Sequence, residues 1–204
     1  MWGLLPRNFR LSLIVSVAIV GSMGISGIVG VITGDARPAY QYVSAVVFLF
    51  TVLTVTAERI WRPLWRRFPI LGKYWFPDLN GTWMGTLDSS WKANPTDPAL
   101  PPIPVTLQIK QGLFDITVRG KTGESSWNSL RCFVEADKSA RVFRLSYIYH
   151  NHPEATLVAR SQRHDGTACL EIEMNEPLIM LKGRYYTERR TAGDFTLTRS
   201  SIST

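Results

Sequence analysis

Two N-terminal transmembrane helices followed by an all-β domain, an antiparallel up-and-down β-barrel of about eight strands, is the fold class this sequence predicts. Residues 11–33, LSLIVSVAIVGSMGISGIVGVIT, form a run of twenty-three uncharged positions, and residues 39–57 form a second run of nineteen. A helix needs about 20 apolar residues to cross a hydrocarbon core, so both runs are long enough. Past residue 78 the apolar period drops from helical spacing to two, with turn signals closing each segment.

The two apolar runs are separated by TGDARP, too short for anything but a reversal, so they form a hairpin within residues 1–58. Arg7 and Arg10 precede it, while Arg59, Arg62, Arg66, Arg67 and Lys73 follow it. The positive-inside bias then places both termini in the cytoplasm. A cleaved signal peptide fits poorly, because its apolar region is usually about 7–15 residues and ends at a small-residue cleavage site. In the first helix Gly21, Gly24, Gly27 and Gly30 recur every third position. Small residues let helix backbones approach closely in lipid, and this set serves packing either within the hairpin or between protomers. Neither run carries an ionisable residue, so a single hairpin offers no charged ion path.

Residues 59–77, RIWRPLWRRFPILGKYWFP, read as a basic and aromatic interfacial linker. Trp61 and Trp65 suit the headgroup depth. The five cations contribute about 1 kcal/mol each near an anionic leaflet. Pro63, Pro69 and Pro77 are expected to keep the segment from forming one rigid helix.

The remainder, residues 78–204, is read as a cytosolic domain. Its strand candidates are GTWMGTLDS, PVTLQIKQ, FDITVRGK, SSWNSLRCFVEA, RVFRLSYIYH, ATLVARSQ, TACLEIEM, MLKGRYYTER and DFTLTR. Tight turns join most of them, so the sheet runs up and down, and closing it removes its edges. The one long connection, residues 90–104, holds five prolines and is placed over a barrel mouth. Cys132 and Cys169, on separate strands without C-x-x-C spacing, read as small core residues.

Charge narrows the partners. The formal net charge is +7, but residues 1–77 carry eight cations against two acids and the rest fifteen against fourteen, nets of +6 and +1. The basicity belongs to the membrane boundary, which disfavours DNA or RNA as partner of the β-domain. His150 and His152 share a strand face, but no acidic cluster joins them, so no metal site is read there. No nucleophile elbow, P-loop or dinucleotide fingerprint is present, and the chain is read as non-enzymatic, with no cofactor.

What remains is alternation of aromatic and polar residues. Tyr147, Tyr149 and Asn151 share one strand face. Gly183, Tyr185, Thr187 and Arg189 share another, as do Thr122, Glu124, Ser126, Asn128 and Leu130. If these rows face inward they satisfy the polar atoms of something enclosed, with tyrosines to stack on bases and arginine to grip phosphate. If they face outward, the opposite rows fill a solid core. For the Tyr147 row periodicity alone leaves both open.

The hairpin followed by LNGTWMGTL, LQIKQ, the T-x-E-x-S-x-N-x-L row, L-x-Y-x-Y-x-N-x-P, HDGT and L-x-G-x-Y-x-T-x-R-x-T-x-G resembles the SMODS-associating, two-transmembrane, β-strand-rich effectors. These are membrane effectors of bacterial cyclic-oligonucleotide anti-phage signalling (CBASS), and the resemblance covers essentially the whole chain. It implies an inner-membrane protein whose β-barrel senses a cyclic dinucleotide made by a partner nucleotidyltransferase. Binding would drive homo-oligomerisation of the transmembrane segments, bilayer disruption and death of the infected cell. The ligand residues carried over by the motif are Tyr147, Tyr149, Asn151, Tyr185, Thr187 and Arg189, with Ser126 and Trp83 beside them. The rival readings are a membrane-tethered, lipocalin-like carrier of an apolar molecule and a membrane-bound protein-interaction scaffold.

Overall fold

A computed structural model describes residues 7–34, 38–74, 76–92, 94, 96, 98–137, 142–158, 162–175 and 178–200. Residues 35–37 of the interhelical link, residues 138–141, 159–161 and 176–177, and residues 93, 95 and 97 of the proline-rich connection lie outside them. The chain divides into two compact units at residues 67 and 68.

The first unit is helical. Helix α1 is Arg7–Thr33 and helix α2 is Val43–Arg67, with a 3-10 turn over Ala39–Tyr42 between them. Both are long and apolar enough to cross a membrane. Gly21 of α1 meets α2, since a Cβ there would lie 3.1 Å from Val46 Cγ1, and Val46 and Ser22 are buried. Ser22 donates its hydroxyl proton to the Ala18 carbonyl at 2.7 Å, so that buried hydroxyl is satisfied within its own helix. Gly24 and Gly27 have open space around them. The expectation that prolines keep residues 59–77 from forming one rigid helix agrees with a break at residue 68, although Pro63 does not make it. Helix α2 runs through Pro63 as far as Arg67, and a short helix α3, Pro69–Tyr74, follows in the second unit. At 1.5 Å per residue α2 spans about 37 Å, more than a hydrocarbon core of about 30 Å. Its last turns therefore carry Trp61 and Trp65, whose rings meet edge to face at 5.9 Å, beyond the apolar stretch.

The second unit is a closed antiparallel barrel of eight strands in sequence order. They are β1 Gly81–Ser89, β2 Ile103–Gln111, β3 Ile116–Lys121, β4 Ser125–Asp137, β5 Val142–Pro153, β6 His164–Asn175, β7 Leu178–Thr187 and β8 Ala192–Arg199. β8 pairs with β1 from Trp83–Arg199 to Ser89–Gly193, which closes the ring. Of the ninth strand candidate, ATLVARSQ, Ala155–Leu157 forms a 3-10 turn soon after Pro153, the last residue of β5, and residues 159–161 lie outside the described residues. Strand curvature at closure is tight where side chains are absent. A Cβ on Gly85 would run into the Thr196 carbonyl, and one on Gly183 into that of Cys169.

About eight strands leave an interior that side chains can fill or that one small ligand can occupy. Its two ends differ. At the end where the chain enters, Phe76 and Leu79 are fully buried and plug the barrel. Phe76 meets Phe143 edge to face at 5.5 Å. Buried Gln111 ties the plug down: its Oε1 accepts from Leu79 N at 2.7 Å, and its Nε2 donates to the Pro77 carbonyl at 3.3 Å. Asn80 brackets the same residue, accepting from Gln111 N at 2.8 Å and donating to its carbonyl at 2.9 Å. Above the plug Leu107, Ile109, Val118, Leu145, Leu170, Leu181 and Leu197 make an aliphatic middle. Cys132 faces inward, paired with Tyr147, and burial pushes its thiol up despite the opposing Ser129 hydroxyl. Cys169 corrects the expectation of two core cysteines: it lies on the outer face, where Ser146 Oγ donates to its sulfur at 3.3 Å.

Candidate functional site

The opposite end is built of a different chemistry. It collects the last residues of β1, β3, β5 and β7 and the first of β2, β4, β6 and β8, so four hairpin connections surround one mouth. β5 contributes Tyr147, Tyr149 and Asn151, all buried on the inner face, while Ile148 and His150 point outward. The phase left open by periodicity is therefore inward, because Leu145 and Phe143 below them belong to the apolar middle.

β7 adds Tyr185, buried, whose hydroxyl donates to Ser89 Oγ at 2.7 Å. β8 adds Phe195 and β4 adds Trp127, both buried. These five rings form a continuous chain across the mouth. Tyr147 and Tyr149 are 5.8 Å apart, Tyr149 and Trp127 5.7 Å, Trp127 and Phe195 6.4 Å, and Phe195 and Tyr185 5.6 Å, all tilted. Above this aromatic floor lie Ser89, Ser125, Asn151 and Thr187, so the rim is polar.

Ionisation is held off throughout. Burial pushes the Tyr147 hydroxyl well above the usual phenol range, opposed by the Trp127 indole and raised further by Tyr149 and Cys132. Burial does the same to Tyr149, with Tyr185 adding to it, and more mildly to Tyr185, opposed there by Ser89. Tyr147 Oη and Trp127 Nε1 are both buried with no hydrogen-bond partner among the described residues. Such atoms cost about 1–3 kcal/mol each when left unmade, so the floor has polar capacity that its own side chains do not use.

The other sequence-derived residues fall in three places. Thr187 ends β7, and its hydroxyl is shared with Thr191 Oγ1 at 2.7 Å, which locks the turn back into β8. Arg189 lies in that turn, past the strand, so it does not extend the Tyr185 row as alternation implied. It is half-buried at the rim, next to Arg190, whose φ of 62° is the left-handed position of the turn. Ser126 is on the outer face, paired with His152, because Trp127 takes the inward phase opposite Asn151. The expected row of Thr122, Glu124, Ser126, Asn128 and Leu130 is thus out of phase with the interior. A register shift between Ser129 and Arg131 leaves exposed Leu130 unpaired and brings Cys132, not Arg131, to the inner face, and Ser129 Oγ accepts from Val118 N at 2.9 Å at that point. Trp83 is at the plugged end: its indole donates to the Leu79 carbonyl at 2.9 Å, and the Arg199 guanidinium lies 4.9 Å over its ring.

Sequence reasoning missed Trp127, Phe195 and Ser89. Trp127 was legible as a large aromatic one position off the chosen row. Phe195 looked like ordinary core. Ser89 carried no signal. On the outer face His150 pairs with Asp165 across β5 and β6, and its ring meets His152 at 4.9 Å. Among the described residues no cluster of three or more metal-ligating side chains is formed. A shallow outer groove of about 390 Å³, bordered by Met84, Pro104, Thr106 and Lys121, gathers no buried polar group.

Comparison with known proteins matches residues 74–199 to the family described as Cap15, cyclic dinucleotide receptor domain. The chain is also similar to CD-NTase-associated protein 15 of Escherichia albertii, at 24% identity over 192 residues, covering 93% of this chain and 90% of that one.

Proposed function

This chain belongs to the family of Cap15 cyclic dinucleotide receptors, the two-transmembrane β-barrel effectors of CBASS, and on that premise we propose that it binds a cyclic dinucleotide at the polar mouth of its barrel. The observation that carries the reading is the contrast between the ends: one is plugged and apolar, the other offers five linked rings beneath a polar rim. Flat bases stack on aromatic faces for about 1–3 kcal/mol each, whichever base is present. Phosphates are served by the rim hydroxyls, Asn151 and the arginine turn at 189–190, where guanidinium can take two oxygens at once.

Binding drives association of protomers through their membrane hairpins, which breaches the bilayer of the infected cell. Ligand favours assembly only to the extent that it binds the assembled state more tightly than the separate one. The Gly24 and Gly27 surface of α1, with no neighbour among the described residues of its own hairpin, supports packing between copies. The charge bias around the hairpin supports cytoplasmic termini and a cytosolic barrel. The comparisons favour a receptor over the carrier and scaffold readings, since the matched family is described by its ligand.

The test is leakage of dye from liposomes carrying the full-length protein, with and without cyclic di-AMP, cyclic di-GMP or cyclic di-UMP. Leakage should need one of them. Arg189→Ala should lose binding by calorimetry while keeping its β-sheet circular dichroism. Leakage indifferent to all three, or release of lipid from the barrel on extraction, would favour the carrier.

A further inference from the structure

Four of the five rings at the mouth have a glycine directly across the strand ladder; opposite Phe195 a Cβ on Gly183 would meet the Cys169 carbonyl, but at the other three it would meet the ring. Trp127 pairs with Gly120, Tyr149 with Gly166 and Tyr185 with Gly193. In each case the ring occupies the volume a side chain would need. A Cβ on Gly120 would overlap the Nε1–Cε2–Cζ2 edge of the Trp127 indole, one on Gly166 the Tyr149 hydroxyl end, and one on Gly193 would lie 2.5 Å from Tyr185 Cε1. Gly120 and Gly166 are themselves buried, and neither has a positive φ, so backbone conformation does not demand glycine there. What demands it is the ring. Aromatic cover of a cross-strand glycine is a known way to pin a sheet, but here it recurs at one level of the barrel and only at the mouth.

The geometric result is that these rings lie back over the wall. With any larger residue opposite, each would tip toward the barrel axis and fill the space above the aromatic floor. We propose that Gly120 and Gly166, with Gly193 beside them, are positioning residues of the binding site: they keep the faces of Trp127 and Tyr149 against the wall so that flat groups can stack on them. This rests on the receptor reading and deepens it, because it identifies the admitted feature as a planar ring, the nucleobase, rather than the sugar-phosphate. It also accounts for the unmatched Trp127 N–H, since the indole is set by its cover on Gly120 and not by a hydrogen bond.

The experiment is a double-mutant cycle on the full-length protein in nanodiscs, titrated with the tightest binder among cyclic di-AMP, cyclic di-GMP and cyclic di-UMP. Gly166 is chosen because a Cβ there meets only Tyr149 among its three nearest atoms, whereas one on Gly193 would also strike the Asp88 carbonyl. Gly166→Ala should weaken binding by about tenfold or more in the wild-type background and by less than about twofold in Tyr149→Leu, where no ring remains to displace. If Gly166→Ala alone fails to fold, Tyr149→Leu/Gly166→Ala should fold as Tyr149→Leu does. An equal loss in both backgrounds, no loss in either, or a double variant that stays unfolded while Tyr149→Leu folds would overturn the positioning role alone. Wild-type protein that binds none of the three nucleotides overturns the receptor reading and this inference with it.

Discussion

At the scale of single residues, the tyrosines of the mouth tie ligand chemistry to stability. Tyr147, Tyr149 and Tyr185 all have hydroxyls raised above the ordinary tyrosine value of 10.0, chiefly by burial. Below that value both folded and unfolded chains hold the protons, and stability does not depend on these groups. As pH climbs past it the unfolded chain releases protons that the folded barrel retains, so the barrel loses stability by up to about 1.4 kcal/mol per pH unit for each tyrosine. Urea unfolding of the full-length protein in detergent should therefore show a midpoint that is flat to pH 9 and falls steeply by pH 11. Tyr147→Phe/Tyr149→Phe should fall less steeply. Equal slopes would mean the hydroxyls are not buried as described. At neutral pH Tyr147→Phe should be neutral or slightly stabilising, since the atom it removes has no partner.

Residue-level legibility in the sequence was uneven for physical reasons. Tyr147, Tyr149, Asn151 and Tyr185 could be picked out because a strand's period of two puts them on one face. Trp83 could not be told from a mouth residue, because an inward aromatic on a strand looks the same at either end of a barrel. Only the register to Arg199 and the bond to Leu79 place it at the plug. Ser126 failed because a row chosen by polarity selects the solvent face whenever the inner face is aromatic, as Trp127 makes it here.

At the scale of elements, eight of nine strand candidates and both helices were readable from period and turn residues. At ATLVARSQ the β-branched and apolar composition suggested a strand, while Ala155–Leu157 closes into a 3-10 turn and residues 159–161 lie outside the described residues. Pro63 does not end α2, which continues through it to Arg67, and the segment breaks at residue 68, before Pro69. The glycine repeat of α1 separates into two roles. A three-residue step turns about 300° around a helix, so successive glycines drift from one face to another. Gly21 packs on Val46 inside the hairpin, and Gly24 and Gly27 do not. Gly27→Leu should therefore leave binding of cyclic di-AMP, cyclic di-GMP or cyclic di-UMP intact in single-copy nanodiscs yet abolish leakage in liposomes. Gly21→Leu should instead disturb the hairpin itself, seen as lower yield of extractable protein. Full leakage from Gly27→Leu would remove this face from the assembly.

At the scale of the whole molecule, a receptor that breaches a bilayer only when occupied must satisfy reciprocity between ligand binding and assembly. If a cyclic dinucleotide promotes assembly by a given factor, assembly must tighten that nucleotide by the same factor, because both are legs of one thermodynamic cycle. Such coupling free energies are typically about 1–3 kcal/mol, or 5–150-fold in affinity. The apparent dissociation constant is then set partly by protein density in the membrane and not by the mouth alone. Full-length protein at one copy per nanodisc should bind its preferred cyclic dinucleotide at least about fivefold more weakly than the same protein crowded into liposomes. Gly27→Leu should bind with the weaker constant in both settings. Equal affinity at all densities, together with ligand-dependent leakage, would mean that occupancy changes something other than the assembly equilibrium, and the hairpin would then have to respond within a single protomer.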